Sequence, residues 1–391
     1  MKKILKGIKI LATARFVYKK PPKKKIIIFD KKSEIYISDL FYKNEYTVLD
    51  ISYNELNLFI IFRLILKFKK INFINYFHEY LIHIQPQYVF TFIDNNLGFY
   101  KLRSRVNNIK FISIQNGIRF ITGDILERLK KDKKKYFVDY YFTFNENYSK
   151  IVNKYIEGKY IMIGSYKNNL FSISKNYQRG TICYISRISN IFFNSAKNKD
   201  KDIVKNQYES WEIKLVEFVI ELLRNLSTYC NQNQIILNIL GSNLNHELEN
   251  NFFQDNLKEN SYNFIPKNKI YDSYKNIDKF EILVNPMSTF GYEAIAREKK
   301  VCFFSGDFIE GSSFNWPNDE NKKGAFFSNS NSLNEVKRIL DFLLKINDES
   351  WSQEISQFKN KVYFHNKDNT IIKNFLSENK ISKKWLKSTE I

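Results

Sequence analysis

The chain has 391 residues, of which 43% are hydrophobic, and it carries 62 Lys and Arg against 41 Asp and Glu, a formal net charge of +21. This length exceeds what one hydrophobic core usually serves, so two domains are expected, and the apolar fraction excludes a chain that is disordered throughout. The positive charge favours anionic partners, namely phosphates, an acidic membrane face or nucleic acid, without choosing among them.

The N-terminal segment, residues 1–24, is rich in lysine and is predicted to form a basic amphipathic helix followed by a lysine run. Lys6 and Lys9 interrupt the apolar stretch that a signal peptide would need, so none is expected. In a helix, one face would carry Ile4, Leu5, Ile8, Leu11 and Ala12. Such a helix suits the surface of an anionic leaflet, and a frayed tail or a helix packed on its own domain are the alternatives. No apolar run reaches the roughly 18 residues of a membrane span.

The cysteines and histidines give no metal-ligand pattern. Cys183, Cys230 and Cys302 stand far apart in the chain, and the four histidines form no recognisable ligand motif. Buried free thiols in a reducing compartment are therefore expected, and no metal site is assigned.

The first half of the chain alternates short apolar runs with helical patterns. Strands are predicted at residues 25–29, 46–52, 87–94, 109–117, 138–144 and 159–169. Helices are predicted at residues 54–68, 72–84, 124–135 and 146–155. This alternation indicates a parallel α/β sheet with helices on its faces.

The second half repeats the same order without a detectable sequence repeat. Strands are predicted at residues 181–189, 234–243, 262–267, 280–286 and 300–306, and helices at 210–227, 332–346, 350–361 and 369–378. Two doubly wound Rossmann-like domains facing a central cleft are the expected fold. The boundaries predicted are 25–170 for the first domain, 171–378 for the second and 379–391 for a tail.

Polar residues follow the strands of the first domain. Asp94 ends one strand, and Gln115, Asn116 and Arg119 follow another. Because ligands of parallel α/β sheets bind beyond the carboxyl ends of the strands, these side chains are candidates for a site. A strand-end turn for Asp94, a tight Asn-Gly turn and an exposed arginine are the competing structural explanations.

The stretch "NPMSTFGYEAIAREKKVCFF", residues 285–304, gathers small residues and one acid between two apolar runs. A helix beginning near Ser288 or Thr289 would expose backbone N–H groups to a phosphate. Gly291 allows close approach, and Glu293 can accept hydrogen bonds from the hydroxyls of a ribose or sugar ring. A capped, well-packed helix is the simpler structural explanation.

This stretch resembles the donor-binding region of GT-B glycosyltransferases, in which a Ser/Thr–Gly–Glu–Ala cluster holds the nucleotide sugar. The resemblance implies that Arg187 in "YISRIS" faces the donor's phosphates and that Gly241 and Ser242 in "ILGSN" line its base or ribose pocket. The stretches "FISIQNGIR", "VDYYFTFNENYSKIVNKYI" and "YIMIGSYKNN" resemble bacterial surface-carbohydrate proteins that make O-antigen or lipopolysaccharide. Many relatives have Gln-His-Gly where this chain has Gln115, Asn116 and Gly117, so the imidazole is missing.

The resemblance implies a metal-independent glycosyltransferase without a cofactor, peripheral on the cytoplasmic membrane face. It would move a sugar from a CMP-, UDP- or GDP-linked donor to a lipid-linked or polysaccharide acceptor. Asp94 is the first candidate for a base, with Asn116 beside it and Asp124 or Glu127 as alternatives, while Gln115 and Arg119 would face the acceptor. A sugar-nucleotide epimerase, a polyol-phosphate transferase and a non-catalytic scaffold remain alternatives. A nucleic-acid-binding protein is a further one, although the lysines are scattered and no recognition motif is present.

Overall fold

The computed structural model describes residues 14–51, 55–119, 124–188, 210–257, 262–286, 288–306, 322–358 and 363–386. The chain divides into two compact units. The first comprises residues 1–117, 124–167 and 366–391, and the second comprises residues 118–123 and 168–365.

The first unit contains a six-stranded sheet whose strand pairs are all parallel, in the order β3-β2-β5-β6-β7-β8. Its strands are β2 (Ile26–Phe29), β3 (Tyr46–Leu49), β5 (Tyr88–Thr91), β6 (Lys110–Ile114), β7 (Tyr136–Thr143) and β8 (Ile156–Met162). A separate parallel pair joins β1 (Arg15–Val17) to β4 (Glu55–Asn57). The sheet confirms the parallel α/β architecture predicted for this half.

The helices of the first unit begin at side chains that can cap them. They are α1 (Lys31–Ile37), α2 (Leu58–Leu66), α3 (Phe73–Ile84), α4 (Leu97–Arg103), α5 (Ile125–Asp132) and α6 (Glu146–Val152). Asn57, Asn72, Asn96 and Asn145 each accept a hydrogen bond from a backbone N–H of the helix that they start. Asparagine is among the best N-cap residues, so its abundance here has a local structural use.

The C-terminal part of the chain completes the first unit, which corrects the predicted division. A helix at Thr370–Glu378 was assigned by sequence to the second domain. Instead, Phe375 packs edge-on against Tyr140 and Phe142 of β7, with ring centroids 4.7 and 5.1 Å apart. Further on, the indole of Trp385 donates to the carbonyl of Leu40 at 2.8 Å, so the described part of the predicted tail is packed.

The second unit contains a seven-stranded sheet in the order β11-β10-β9-β12-β13-β15-β14. Its strands are β9 (Gln178–Ile185), β10 (Leu237–Leu240), β11 (Tyr262–Ile265), β12 (Phe280–Asn285), β13 (Lys300–Phe304), β14 (Lys323–Gly324) and β15 (Phe327–Ser328). All pairs are parallel except β14 with β15. The strands β10, β12 and β13 are buried along their whole length, as expected when helices cover both faces.

The helices of the second unit are labelled from α7 onward. They are α7 (Ser210–Gln232), α8 (His246–Leu257), α9 (Asp272–Asn276), α10 (Thr289–Ile295), α11 (Leu333–Lys345) and α12 (Asp348–Ser356), so the helix at Thr370–Glu378 becomes α13. The sequence did not predict α1, α4, α8 or α9, whose apolar periodicity is short.

Buried thiols, predicted from composition, are confirmed. Cys183, Cys230 and Cys302 are free and buried. Burial raises the pKa of all three thiols, that of Cys230 to about 12, so they are protonated and poorly nucleophilic at neutral pH.

The predicted N-terminal helix lies mostly in residues 1–13, outside the described residues. Residues 15–17, which belong to the same predicted segment, form a strand beside Glu55–Asn57. Those partners were predicted as the start of a helix, which begins only at Leu58. Among the residues described, no helix is both long and apolar enough to cross a bilayer.

Candidate functional site

The second sheet reverses its strand order between β9 and β12. The chain builds outward from β9 to β10 and β11 and then returns to add β12 on the other side of β9. At such a reversal the two connections leave in opposite directions and open a crevice beyond the carboxyl ends of the strands. Arg187 follows β9, and Ser288 and Thr289 follow β12, so the structure places three predicted donor-binding residues at this point.

The turn after β12 is built by Asn285. Its side-chain oxygen accepts from the N–H of Ser288 at 2.9 Å, and its amide nitrogen donates to the carbonyl of Ser288 at 3.1 Å. A Cβ on Gly291 would lie 2.2 Å from Cγ of Asn285, so only glycine fits above this side chain. Of the two reasons for a glycine here, approach of a ligand or of a neighbouring part of the chain, the structure shows the second, because Gly291 lies against Asn285.

Ser288 and Thr289, at the start of α10, already make hydrogen bonds within the protein. The hydroxyl of Ser288 caps α10 by accepting from the N–H of Phe290 at 3.3 Å. The hydroxyl of Thr289 accepts from the N–H of Ile118 at 3.1 Å, which anchors the buried Arg119 beside the start of α10. Both hydroxyls remain half-buried rather than enclosed.

Glu293 lies on α10 with its carboxylate buried, only 1% of the residue being exposed. One oxygen accepts from the hydroxyl of Tyr274 at 2.7 Å. Burial raises the pKa of the Tyr363 hydroxyl, with Tyr292 and Glu293 adding to the rise and Arg119 opposing it. Glu293 and Arg119 thus both lie within electrostatic reach of the Tyr363 hydroxyl.

Aromatic side chains that the sequence analysis missed surround this carboxylate. Phe171 stacks on Tyr274 with the rings 4° from parallel and 5.5 Å apart, and Phe290 meets Tyr274 edge-on at 4.9 Å. Tyr271 lies against the same pair. Phe171, Tyr271 and Phe290 are half-buried, so this aromatic cluster has faces that a planar ligand can reach. In the sequence, the stretch "YDSYKN" after β11, which contains Tyr271 and Tyr274, is the pattern that could have indicated this cluster.

Glu249 of α8 holds the loops after β9 and β10. Its buried carboxylate accepts from the hydroxyl of Ser186, from the N–H and hydroxyl of Ser242, and from the N–H of Asn243. A Cβ on Gly241 would lie 3.1 Å from this carboxylate. Gly241 and Ser242, predicted to line a base or ribose pocket, are therefore held tightly at the carboxyl end of β10, and Ser242 stays half-buried.

Arg187 supplies the positive charge at this edge. It is half-buried, immediately after the loop residue Ser186 that Glu249 holds. Burial lowers the pKa of its guanidinium, and Tyr184 and Tyr292 oppose that shift. An arginine stays charged in proteins, so a partly desolvated guanidinium here would interact strongly with a phosphate.

Arg297 is a positioning residue that the sequence analysis did not identify. It is buried and bonds Asp278 at 2.9 Å, the side chain of Asn168 at 3.3 Å and the carbonyl of Ser172 at 2.7 Å. Asn168 in turn donates to the carbonyl of Glu293 at 3.2 Å. This chain of contacts holds α10 against residues 168–172, which carry Phe171.

In the first unit, Asp94 is fully buried and its carboxylate is already hydrogen-bonded. One oxygen accepts from the N–H of Asn116 at 3.1 Å, and the other accepts from the hydroxyls of Tyr141 at 3.0 Å and Tyr148 at 3.3 Å. Burial, followed by the nearby Asp94 carboxylate, raises the pKa of Tyr141 well above its usual value. These contacts give Asp94 a structural role in the core of the first unit, while its role as a base stays a prediction.

Gln115 also has a structural role, and its predicted acceptor-side role stays a prediction. Its amide nitrogen donates to the carbonyl of Gly117 at 3.0 Å, and its oxygen accepts from the N–H of Phe144 at 2.8 Å. Asn116 is half-buried on the same loop. Asp124, an alternative base, caps α5 by accepting from the N–H of Ile125 at 2.7 Å, and Glu127, the other alternative, pairs with Lys131.

Asp30 is a residue of the first unit that the sequence analysis left without a role. It follows β2, next to which the strand order of the first sheet reverses, and it is buried with φ of 89°. Its carboxylate caps α1 by accepting from the N–H of Lys32 at 3.0 Å. A non-glycine residue in this backbone region is strained, and such strain tends to occur at functional positions.

A charged cleft of about 170 Å³ lies at the opposite, amino edge of the second sheet. Its cations are largely paired within the protein, Lys300 with Glu281 at 2.7 Å and Arg297 with Asp278. Lys299 lies over the ring of Tyr177 at 4.4 Å, and burial lowers its pKa to about 8. Across the parts of the chain that the structure describes, no group of three or more His, Cys, Asp or Glu is arranged to hold a metal ion.

The two parallel sheets, each in its own compact unit, define a two-domain α/β protein. Residues 112–380, more than half of the chain, match a sequence family described as "putative O-antigen biosynthesis protein". The chain therefore belongs to this family of O-antigen biosynthesis proteins. The search of curated proteins found no match.

Solved structures share the fold at low sequence identity. A Listeria monocytogenes protein described as a "putative UDP-N-acetylglucosamine 2-epimerase" matches with 13% identity and a TM-score of 0.53, over 92% of this chain and 97% of that one. S. aureus MnaA, solved with UDP, matches with 10% identity and a TM-score of 0.51 over the same shares. The wall teichoic acid polymerase TagF matches with 12% identity and a TM-score of 0.49, over 94% and 91%. The two units are thus Rossmann-like domains of GT-B type.

Proposed function

We propose that this protein is a glycosyltransferase of bacterial surface-glycan biosynthesis that uses a nucleotide-sugar donor. The observation that carries the proposal is the reversal of strand order in the second sheet, the point at which sheets of this kind form a ligand-binding crevice. Arg187, Ser288 and Thr289 flank it, and the aromatic cluster and Glu293 adjoin it. Membership of the O-antigen biosynthesis family gives the glycan context.

The donor would bind by the complementarity of its parts. The nucleobase stacks on the half-buried rings of the aromatic cluster, the ribose hydroxyls donate to Glu293 beside Tyr274, and the phosphates meet Arg187 and the hydroxyls of Ser288 and Thr289. Ser242 borders the base or ribose. Gly241 and Gly291 set the shape of the loops rather than touching the donor.

Transfer requires that the charge developing on the leaving phosphate be stabilised. The guanidinium of Arg187 supplies a fixed positive charge in a partly desolvated position, where such a charge is most effective. We infer that the reaction uses this charge in place of a metal and needs no cofactor. Turnover unchanged by EDTA would support that part of the proposal, and loss of turnover restored by a divalent cation would contradict it.

The acceptor is proposed to be a lipid-linked or polysaccharide glycan, with Arg119 of the second unit as a candidate contact. The net charge of +21 favours an anionic, phosphate-bearing acceptor and a peripheral location on the inner face of the cytoplasmic membrane. No role in nucleic-acid binding is proposed, and binding to arbitrary DNA with a steep salt dependence would contradict this.

A thermal-shift panel of CMP, UDP, GDP, CDP and ADP tests the donor site. UDP is the first probe because MnaA, which shares the fold, was solved with UDP. Ligands that bind only the folded state raise the melting temperature with concentration. A shift with one nucleotide, reduced in Glu293→Ala but kept in a surface control such as Lys337→Ala, supports the site; no shift with any nucleotide contradicts it.

A sugar-nucleotide epimerase is the second candidate, because the Listeria protein described as one has the same fold. A polyol-phosphate transferase would reuse the same crevice. Product analysis separates the three: transfer yields free nucleotide and a glycosylated acceptor, epimerisation yields an isomeric nucleotide sugar without an acceptor, and polyol transfer yields a phosphodiester.

A further inference from the structure

The hairpin formed by α2 and α3 ends in a tip, residues 62–71, that exposes unusually large apolar side chains. Phe68 is 98% exposed. Four more apolar side chains of the tip are exposed by half or more: Phe62, Ile65, Leu66 and Ile71. Scattered single exposures are ordinary, but a contiguous group of this kind marks a surface that meets a partner.

The helix that leads into the tip is apolar on both sides. Ile60 and Leu64 are buried against the unit, whereas Phe62, Ile65 and Leu66 point outward. A surface helix of a soluble protein normally turns a polar face to solvent. The outward face of α2 is therefore built for an apolar environment.

The tip is also basic. Arg63, Lys67, Lys69 and Lys70 stand among the apolar residues, and residues 58–78 contain no Asp or Glu. The buried carboxylate of Glu79 contacts Arg63 at 2.8 Å and Lys67 at 2.7 Å, with Lys69 at 3.9 Å. One carboxylate against four cations leaves the tip with a net positive charge.

The shape of the tip is preformed. Three backbone hydrogen bonds close the turn. The N–H groups of Lys67, Phe68 and Lys69 donate to the carbonyls of Arg63, Ile65 and Leu64, at 3.2, 2.9 and 3.0 Å respectively. Phe68 adopts φ of 53°, a left-handed conformation that is costly for a bulky residue and that turns the chain at its most exposed side chain. The turn is thus already closed, and docking needs no folding step.

We propose that this tip docks the protein on an anionic membrane surface, with Phe68, Leu66 and Ile65 in the acyl boundary and the lysines among the headgroups. Apolar side chains alternating with cations suit the interface of an anionic leaflet. A second copy of the chain fits less well, because a two-fold contact would bring the same cations face to face. The inference rests on the membrane location proposed above and names the surface responsible.

Vesicle flotation of the full chain tests the proposal. The wild-type protein should float with phosphatidylcholine–phosphatidylglycerol vesicles and much less with phosphatidylcholine alone. Leu66→Ser with Phe68→Ser, and separately Lys69→Glu with Lys70→Glu, should each lower the partition coefficient about 10-fold or more, given the usual contribution of about 1 kcal/mol per lysine and more per buried apolar side chain. Matched controls in the second unit are Ile236→Ser, which is also exposed, and Lys337→Glu with Lys345→Glu.

A fluorescent label gives a second readout that does not depend on altered affinity. The three native thiols are buried, so an environment-sensitive dye reacts selectively at the introduced thiol of Phe68→Cys. Its emission should shift to the blue with anionic vesicles, whereas a label at Ile236→Cys should not respond.

Each outcome has a distinct meaning. Equal flotation of wild-type and tip variants would overturn the tip as the docking surface and leave the membrane location standing. If the wild-type chain does not bind anionic vesicles but does bind a nucleotide, the membrane proposal fails and the donor site stands. A lipid-independent dimer that Phe68→Ser dissociates would show a second copy as the occupant and overturn the proposal.

Discussion

Each unit carries a buried carboxylate near the carboxyl edge of its sheet, but the surroundings of the two differ. Asp94 in the first unit accepts three hydrogen bonds from groups fixed in the core, including two tyrosine hydroxyls. Glu293 in the second unit accepts from the hydroxyl of Tyr274, beside a cluster of half-buried aromatic rings. Both carboxylates are buried, and the donor contact proposed for Glu293 is what would set it apart from Asp94.

An acid at a strand end can thus be fully engaged by its own core, so its position alone does not identify a catalytic site. What separates the two positions is the neighbouring chain: β7 and α6 close over Asp94, whereas beside Glu293 the helix α10 begins at a strand reversal with half-buried hydroxyls. The following predictions test that contrast.

Removing Asp94 should have the largest effect on stability. Asp94→Ala leaves the N–H of Asn116 and two buried hydroxyls without their acceptor, so we expect a loss of about 3–5 kcal/mol in the free energy of unfolding. Urea unfolding measures it. Asp94→Asn keeps one acceptor oxygen and should lose less; a variant as stable as wild type but inactive would instead restore Asp94 as the base.

Gly291→Ala should have the next largest effect on stability. The added methyl would lie 2.2 Å from Asn285, so the turn must move at a cost of about 2–3 kcal/mol, and nucleotide binding should weaken with it. Gly241→Ala is the milder comparison, since its nearest neighbours lie at 3.1 Å. Thermal unfolding of both variants ranks them, and equal stability would contradict the tight turn.

Arg187→Gln should weaken binding of a nucleoside diphosphate by about 10- to 100-fold, the effect of one charge-assisted phosphate contact. Binding of the corresponding nucleoside, which lacks phosphates, should change little. Calorimetric titration of both ligands distinguishes a phosphate contact from general disruption, since disruption would weaken both ligands equally.

Lys299, at the amino edge of the second sheet, gives the smallest and a pH-dependent effect. Burial lowers its pKa to about 8 from 10.5, so between these values the unfolded state binds more protons and stability should rise with pH. Below pH 8 Lys299 is charged while buried, which lowers the free energy of unfolding by up to about 3 kcal/mol. Urea unfolding from pH 7 to 10 measures the free energy of unfolding of wild type and of Lys299→Met. As pH rises, the value for wild type should increase relative to the value for Lys299→Met. A difference independent of pH would show that Lys299 is not desolvated.

Much of the fold could be predicted from the sequence because buried parallel strands are continuous apolar runs, such as "QYVFTF" and "FEILV". Short helices were missed, since seven residues of α1 or α4 carry too little periodicity. The packing of Phe375 on β7 could not be foreseen, because a contact more than 200 residues away leaves no local signal.

The candidate site was predicted in part. Ser288, Thr289 and Arg187 do lie at the strand reversal, because residues that follow adjacent parallel strands share an edge. Whether Asp94 or Gln115 is reachable depends on which side chains close over them, and Tyr141, Tyr148 and Phe144 come from elements that the local sequence does not position. Arg297 and Tyr274 were missed for the same reason: their partners are distant in the chain.

The most direct test of the central claim is a calorimetric titration of UDP, followed by CMP and GDP, into wild type, Glu293→Gln and Tyr274→Phe. If Glu293 receives the donor's hydroxyls, one nucleotide should bind wild type, Glu293→Gln should weaken it about tenfold and Tyr274→Phe should weaken it less. If all three proteins bind every nucleotide equally weakly, the carboxyl edge of the second sheet is not a donor site, and α10 is only a well-capped helix.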